Sequence, residues 1–142
     1  MSFRALDPDV LVSAQIRPEE VADAAALGVT LIVNNRPDGE EPGQPDGAEI
    51  ARAAREAGLD YRHIPVAGGF GPDEIRAMAE ALDQARGKLL AFCKSGTRST
   101  FLWAMARASR GADGSDLIGR AAEAGYDLGP LRPYLTPRGA IR

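Results

Sequence analysis

The order of apolar runs and helical stretches in this chain predicts an α/β domain with a mainly parallel central sheet flanked by helices. Three observations carry that expectation. Val29-Thr30-Leu31-Ile32-Val33-Asn34 is an almost unbroken β-branched run, the pattern of a strand covered on both faces. Short apolar runs alternate with helical stretches through short connections, as crossovers onto a parallel sheet require. Glycines stand at the helix ends, at Gly28, Gly58 and Gly87.

The elements follow in order. Val10 to Ala14 reads as a short strand, and Arg17-Pro18-Glu19-Glu20 as the proline-and-acid start of a helix reaching Leu27. Val29 to Asn34 is the central strand. Arg36 to Gly47 is too rich in Pro and Gly for regular structure and reads as a long loop leaving a strand end. Ala48 to Ala57 reads as a helix and Leu59 to Val66 as a strand whose pairing Pro65 limits. After Gly68-Gly69-Phe70-Gly71, a helix from Pro72 to about Arg86 turns Ile75, Met78, Ala79 and Leu82 inward. Strand Lys88 to Phe92 precedes a helix from about Arg98 to Ala108, with Phe101, Leu102, Trp103 and Met105 as packing residues. A helix over Asp116 to Ala124 and a turn near Leu131 to Leu135 complete the chain.

The 142 residues, 44% hydrophobic and 26% charged, suit one domain spanning 1–142 that buries roughly 68–70% of its unfolded surface. A net charge of −3 without a dense Lys/Arg run disfavours nucleic acid as a partner. No run approaches the ~20 apolar residues of a membrane span, and the first residues lack an apolar leader core, so the expectation is a soluble cytoplasmic protein. One histidine, His63, rules out a multi-histidine metal site, and neither a metal nor a cofactor is implied. One cysteine cannot form an internal disulfide, which leaves it available for chemistry.

That cysteine, Cys93, stands where strand Lys88–Phe92 stops and the loop Lys94-Ser95-Gly96-Thr97 begins, just before a helix. Loop amides and a helix N-terminus favour negative charge there, and Arg98 adds a cation. The arrangement suits a thiolate nucleophile, with Lys94, Ser95, Gly96 and Thr97 presenting backbone amides to an oxyanion and Arg98 binding it. A cation at a helix start is unfavourable unless an anion accompanies it. The alternative for Cys93 is a small apolar core residue. Ser99 would donate a hydrogen bond to the thiolate or serve as a helix-capping hydroxyl. Arg36 and Glu40, in the long loop, would line the pocket mouth and orient either a substrate or the loop itself. His63, inside a strand, reads as a packing or hydrogen-bonded residue. In such sheets the site lies beyond the carboxyl ends of the strands, so the loops after Asn34, Val66 and Phe92 are expected to converge.

Four residues separate Cys93 from Arg98, one fewer than in the cysteine-phosphatase signature, and this tightens the ring of amides. A phosphatase also needs a proton donor for a leaving alkoxide. The Ala67–Gly71 loop offers no acid, Asp73 is committed to a helix start, and Asp38 remains as a substitute. Sulfane-sulfur transfer needs no such donor. The residues therefore favour sulfane-sulfur transfer through a Cys93 persulfide, with a small-molecule sulfane-sulfur donor and an external thiol acceptor. A cysteine phosphatase working through a phosphocysteine and a non-catalytic anion-binding module are the alternatives.

Ser13-Ala14-Gln15-Ile16, Val33 to Glu41, His63-Ile64-Pro65-Val66 and Phe92 to Ser99 together resemble a family described both as a sulfur transferase and as the phosphatase-like domain of beta-lactamase-hydrolase-like proteins. Its fold is similar to dual-specificity protein tyrosine phosphatases and its short cysteine loop is similar to that of rhodaneses. The resemblance implies Cys93 as nucleophile, Arg98 as anion-binding residue and Lys94 to Thr97 as the amide cradle. Some relatives are fused to a metal-dependent persulfide-oxidising domain. This chain lacks the histidines for one, so the resemblance implies that such a partner would be a separate protein.

Overall fold

The structure is a computed structural model and describes residues 3–135. The first two residues of the leader reading and the end of the Pro-containing tail lie outside that range. Within it, a five-stranded sheet runs in the order β1-β2-β5-β3-β4, with β1 Arg4–Asp7, β2 Val10–Ser13, β3 Val29–Asn34, β4 Asp60–His63 and β5 Lys88–Phe92. The β2–β5, β5–β3 and β3–β4 pairs are parallel; the edge pair β1–β2 is antiparallel. The sheet is thus mixed, and mainly parallel as the sequence predicts. Helices α1 Val21–Ala26, α2 Gly47–Glu56, α3 Pro72–Gln84, α4 Thr97–Ser109 and α5 Gly114–Glu123 flank it, with 3-10 turns at Pro18–Glu20 and Gly129–Tyr134.

Alternation within the strands divides the core between two faces. Val10, Val12, Leu31, Val33, Leu89 and Ala91 pack with Met78, Leu102 and Trp103 on the side of α3, α4 and α5. Leu11, Ile32, Leu90 and Phe92 pack with Val21, Ala24, Ile50 and Ala54 on the side of α1 and α2. Successive side chains of a strand point to opposite faces, so a strand covered on both is apolar throughout.

Several expectations need adjustment. Strand β1 was not expected. It is four residues long, and only Leu6 of its residues is buried. Its place comes from distant partners: Asp7 accepts from Trp103 Nε1 at 3.0 Å and from Arg107 Nη2 at 3.2 Å. The first helix begins as a 3-10 turn, because Glu20 folds back onto the Arg17 amide at 2.8 Å. β4 stops at His63 rather than Val66. The backbone still follows β3, through Ile64 N to Asn34 O at 2.9 Å and Val66 N to Asn35 O at 3.0 Å, while Pro65 has no N–H to offer between them. Helix α5 starts two residues earlier than expected, with Asp113 capping the Asp116 amide at 3.1 Å.

The parallel register sets the position of the site. Ser13, Phe92, Asn34 and His63, the last residues of β2, β5, β3 and β4, stand in one row across the sheet. The chain leaves all four in the same direction.

Candidate active site

Cys93 follows the last residue of β5 and is fully buried, its backbone held by Cys93 N donating to Ser13 O at 3.4 Å. The loop then folds so that the Gly96 amide donates to Cys93 Sγ at 3.0 Å. Gly96 has φ +93°, in the left-handed region where a side chain is strained, and this conformation turns its N–H back over the sulfur. Helix α4 begins at the next residue, and Thr100 anchors it by donating from both N and Oγ1 to Gly96 O, at 2.9 and 2.8 Å.

Arg98 lies in the first turn of α4. Its Nη1 donates to Glu40 Oε2 at 2.7 Å and to Val66 O at 2.9 Å, and its Nη2 donates to Glu40 Oε1 at 2.8 Å. The three loops that the sequence brings together therefore meet on one guanidinium. Glu40 comes from the loop after β3, Val66 from the segment after β4 and Arg98 from the loop after β5. Those bonds use three of the five guanidinium N–H groups. The remaining pair, on Nε and Nη2, forms the edge beside the Glu40 clamp. The Arg98 pKa is raised, first by the bond to Glu40 and further by its interaction with the Cys93 sulfur. Glu40 is pulled down to about 2, chiefly by Arg98 and then by Arg36, against the opposing effect of burial. It is a carboxylate at neutral pH and cannot serve there as a general acid.

Two site expectations are corrected. Arg36 does not face a substrate: it is 1% exposed, and its donors go to Glu40 Oε1 at 2.8 Å, Gln15 Oε1 at 3.0 Å and Glu41 Oε1 at 3.0 Å. Burial works to lower its pKa, but the bonds to Glu40 and Glu41 outweigh that and raise it. Arg36 orients the long loop and, through it, Glu40. Ser99 does not cap the thiolate; its buried hydroxyl donates to Asn35 Oδ1 at 2.8 Å, while Asn35 Nδ2 donates to Ile64 O at 2.9 Å. This chain of bonds ties α4 to the ends of β3 and β4.

The cradle residues divide. Gly96 is buried with its amide on the sulfur, whereas Lys94, Ser95 and Thr97 are exposed. The Thr97 amide donates to Ser95 Oγ at 3.3 Å, and the Lys94 ammonium reaches Glu41 at 3.6 Å. His63 Nε2 donates to Arg36 O, 2.9 Å away, in keeping with a hydrogen-bonded residue. Asp38 accepts from the Gly47 amide at 2.8 Å at the start of α2. Sequence reasoning missed two contributors. Val66 enters through its carbonyl, which no residue type signals, and Tyr126 donates to Ser95 O at 3.1 Å from 31 residues away. Among the described residues no cluster of metal-ligating side chains is present, and no helix is long and apolar enough to cross a membrane.

Comparison with known proteins places this geometry. A beta-lactamase hydrolase-like protein of Xylella fastidiosa is 38% identical over 137 residues, 95% of this chain and 32% of that protein. One of Agrobacterium fabrum is 41% identical over 106 residues, 73% of this chain and 25% of that protein. The chain thus spans a third or less of the length of these relatives. A crystal structure of a candidate phosphatase from Neisseria meningitidis superposes with a TM-score of 0.83 at 34% identity, covering 95% of this chain and 96% of that one. Pseudomonas aeruginosa TpbA, solved with phosphotyrosine, shares the fold with a TM-score of 0.65 at 21% identity, over 99% of this chain and 85% of that one. The architecture is protein-tyrosine-phosphatase-like. With residues 2–110 matching the profile of the beta-lactamase hydrolase-like protein, phosphatase-like domain, the chain belongs to that family.

Proposed function

We propose that the chain is a cysteine-dependent phosphatase acting on phosphate monoesters whose leaving group departs without protonation, such as aryl phosphates. The observation that carries this reading is the alignment of three groups. Cys93 Sγ sits at the base of the loop, the Gly96 N–H points at it from 3.0 Å, and the Arg98 guanidinium, held by Glu40, interacts with the same sulfur. The 34% identical candidate phosphatase supports the same reading.

In the reaction, the Cys93 thiolate attacks phosphorus, an S–P bond forms, and the P–O bond to the leaving group breaks with its electron pair leaving as aryloxide. Arg98 stabilises the equatorial oxygens, while the Gly96 amide, donating to Sγ, favours the attacking thiolate. Water then attacks the phosphocysteine, the S–P bond breaks, and the thiolate and inorganic phosphate return. Glu40, ionised and held by Arg98 and Arg36, has no proton to give an alkoxide, and this restricts the substrates to good leaving groups.

A second reading, rhodanese-like sulfur transfer, is favoured by the four-residue spacing from Cys93 to Arg98 and by the same lack of an acid. Here Cys93 attacks the outer sulfur of thiosulfate, sulfite leaves with the S–S electron pair, and the Cys93 persulfide passes its sulfur to an external thiol. The test runs both assays, p-nitrophenyl phosphate hydrolysis and thiosulfate-to-thiol transfer, on wild type and Cys93→Ser, with intact mass of the trapped enzyme. Hydrolysis and a phosphoryl adduct, both lost in Cys93→Ser, support the first reading. A single added sulfur without hydrolysis supports the second and overturns the first.

A further inference from the structure

We infer that Tyr126 is a positioning residue for the nucleophile, orienting through the Ser95–Gly96 peptide the amide that donates to Cys93. The inference rests on Cys93 being the reacting group, and it goes beyond that in adding a residue from a part of the chain that follows the family match over residues 2–110.

The geometry is that of one peptide unit gripped at both ends. Ser95 O and Gly96 N belong to the same peptide bond, and the described residues contain no cis peptide. In a trans peptide the C=O and N–H point in opposite directions. The N–H end donates to Cys93 Sγ at 3.0 Å, and the C=O end accepts from Tyr126 Oη at 3.1 Å. A relay O–H···O=C–N–H···S results, in which each bond polarises the next by about 10–30%. The amide delivers more positive charge to the sulfur than it would with a carbonyl facing water.

The grip also selects one of two orientations. Gly96 sits at φ +93°, and a half-turn of the Ser95–Gly96 peptide would bring φ to about −90°, which glycine also accepts. In that orientation the carbonyl oxygen faces the sulfur and repels a thiolate. Tyr126 holds the donor orientation by bonding the carbonyl only when it points away. Its hydroxyl also occupies the space above Gly96, where a Cβ at that position would collide with it.

Tyr126 is itself well anchored. Helix α5 closes with Gly125 at φ +98°, Gly125 N donating to Ala122 O at 3.0 Å and Tyr126 N to Ala121 O at 2.8 Å, a pair that reverses the chain toward the Cys93 loop. Arg4 of β1 donates to Ala124 O at 2.8 Å and holds its guanidinium 6.0 Å from the ring centroid. The charged groups facing the sulfur are Arg98, backed by Glu40, and those facing the phenol are Arg4 and the sulfur itself. Burial raises the Tyr126 pKa, with Arg4 opposing and Cys93 adding to the rise, so the phenol keeps its proton and remains a donor.

The experiment measures Cys93 alkylation by iodoacetamide against pH in wild type, Tyr126→Phe and a variant carrying 3-fluorotyrosine at position 126, whose more acidic phenol is the stronger donor. Phe retains the ring. Its loss of one hydrogen bond is expected to slow alkylation at neutral pH about three- to tenfold and to displace the profile to higher pH. Fluorotyrosine is expected to move both in the opposite direction. A Phe variant that melts lower but alkylates with the wild-type profile, or a fluorotyrosine variant with no change, overturns the inference; the fluorinated protein gives that answer even if Phe does not fold. Because alkylation reads the sulfur directly, absence of both phosphate hydrolysis and sulfur transfer in wild type would fall on the proposed function and leave this result standing.

Discussion

Glu40 and Arg98, 58 residues apart, meet through both oxygens of one carboxylate, at 2.7 and 2.8 Å, and the same Oε1 receives Arg36 Nε at 2.8 Å. One carboxylate thus carries two guanidiniums. It fastens the long loop after β3 to the first turn of α4, whose Arg98 also interacts with the Cys93 sulfur.

Replacing Glu40 by Gln leaves one acceptor oxygen and sets an amide N–H2 against a guanidinium. The variant should lose about tenfold in kcat/KM, the size of one charge-assisted hydrogen bond to a group acting in the transition state. Steady-state kinetics on an aryl phosphate, or on thiosulfate if that is the substrate, measures it. Undiminished turnover would make the clamp dispensable.

The same carboxylate sets a pH window. Its folded-state pKa, about 2, lies below the ordinary 4.5, so its contribution to stability is fully present above about pH 4.5 and disappears as pH falls toward 2. Solvent screening at its partly exposed position limits that contribution to roughly 1–2 kcal/mol. Thermal melts of wild type and Glu40→Gln should therefore differ at pH 6 and converge as pH approaches 2. A gap that persists in acid would place its origin elsewhere.

Arg98→Lys keeps the charge, but an ammonium cannot span Glu40, Val66 O and an anion together. Activity should drop roughly ten- to a hundredfold while the melting temperature changes far less, because the buried Ser99–Asn35 bond still ties α4 in place. A lysine variant that turns over like wild type would make Arg98 a purely structural residue.

Loop length provides a fourth measurement. A glycine inserted between Gly96 and Thr97 leaves the Cys93–Gly96 turn intact and lengthens the path to Arg98 by one residue. The ratio of aryl-phosphate hydrolysis to sulfur transfer should rise, even if both rates fall. A ratio that moves the other way would show that the short ring is not what restrains phosphoryl chemistry.

The core strands were legible because burial on both faces leaves a local mark. Val29–Asn34 and Lys88–Phe92 have the bounds that their apolar runs predict. The convergence of three loops followed from parallel topology, and Cys93 and Arg98 from their place at a strand end and a helix start. What escaped depends on contacts far apart in sequence. Arg36 reads like any loop arginine until Glu40, Glu41 and Gln15 enclose it, and Ser99 like a cap until Asn35 comes within 2.8 Å. Strand β1 and Tyr126 owe their positions to partners roughly 30 to 100 residues distant, which no local periodicity encodes.

The chain's one tryptophan is wholly buried in α4, with its indole N–H on Asp7 of the edge strand. It therefore acts as an intrinsic fluorophore for a single event. Detachment of β1 from α4 would hydrate the ring and shift its emission to longer wavelength. Because its hydrogen bond goes to the sheet edge and not to the Cys93 loop, the same signal should stay nearly constant while phosphate is titrated in. A denaturant series followed by emission would thus time the release of the N-terminal strand against global unfolding followed by circular dichroism, without any label.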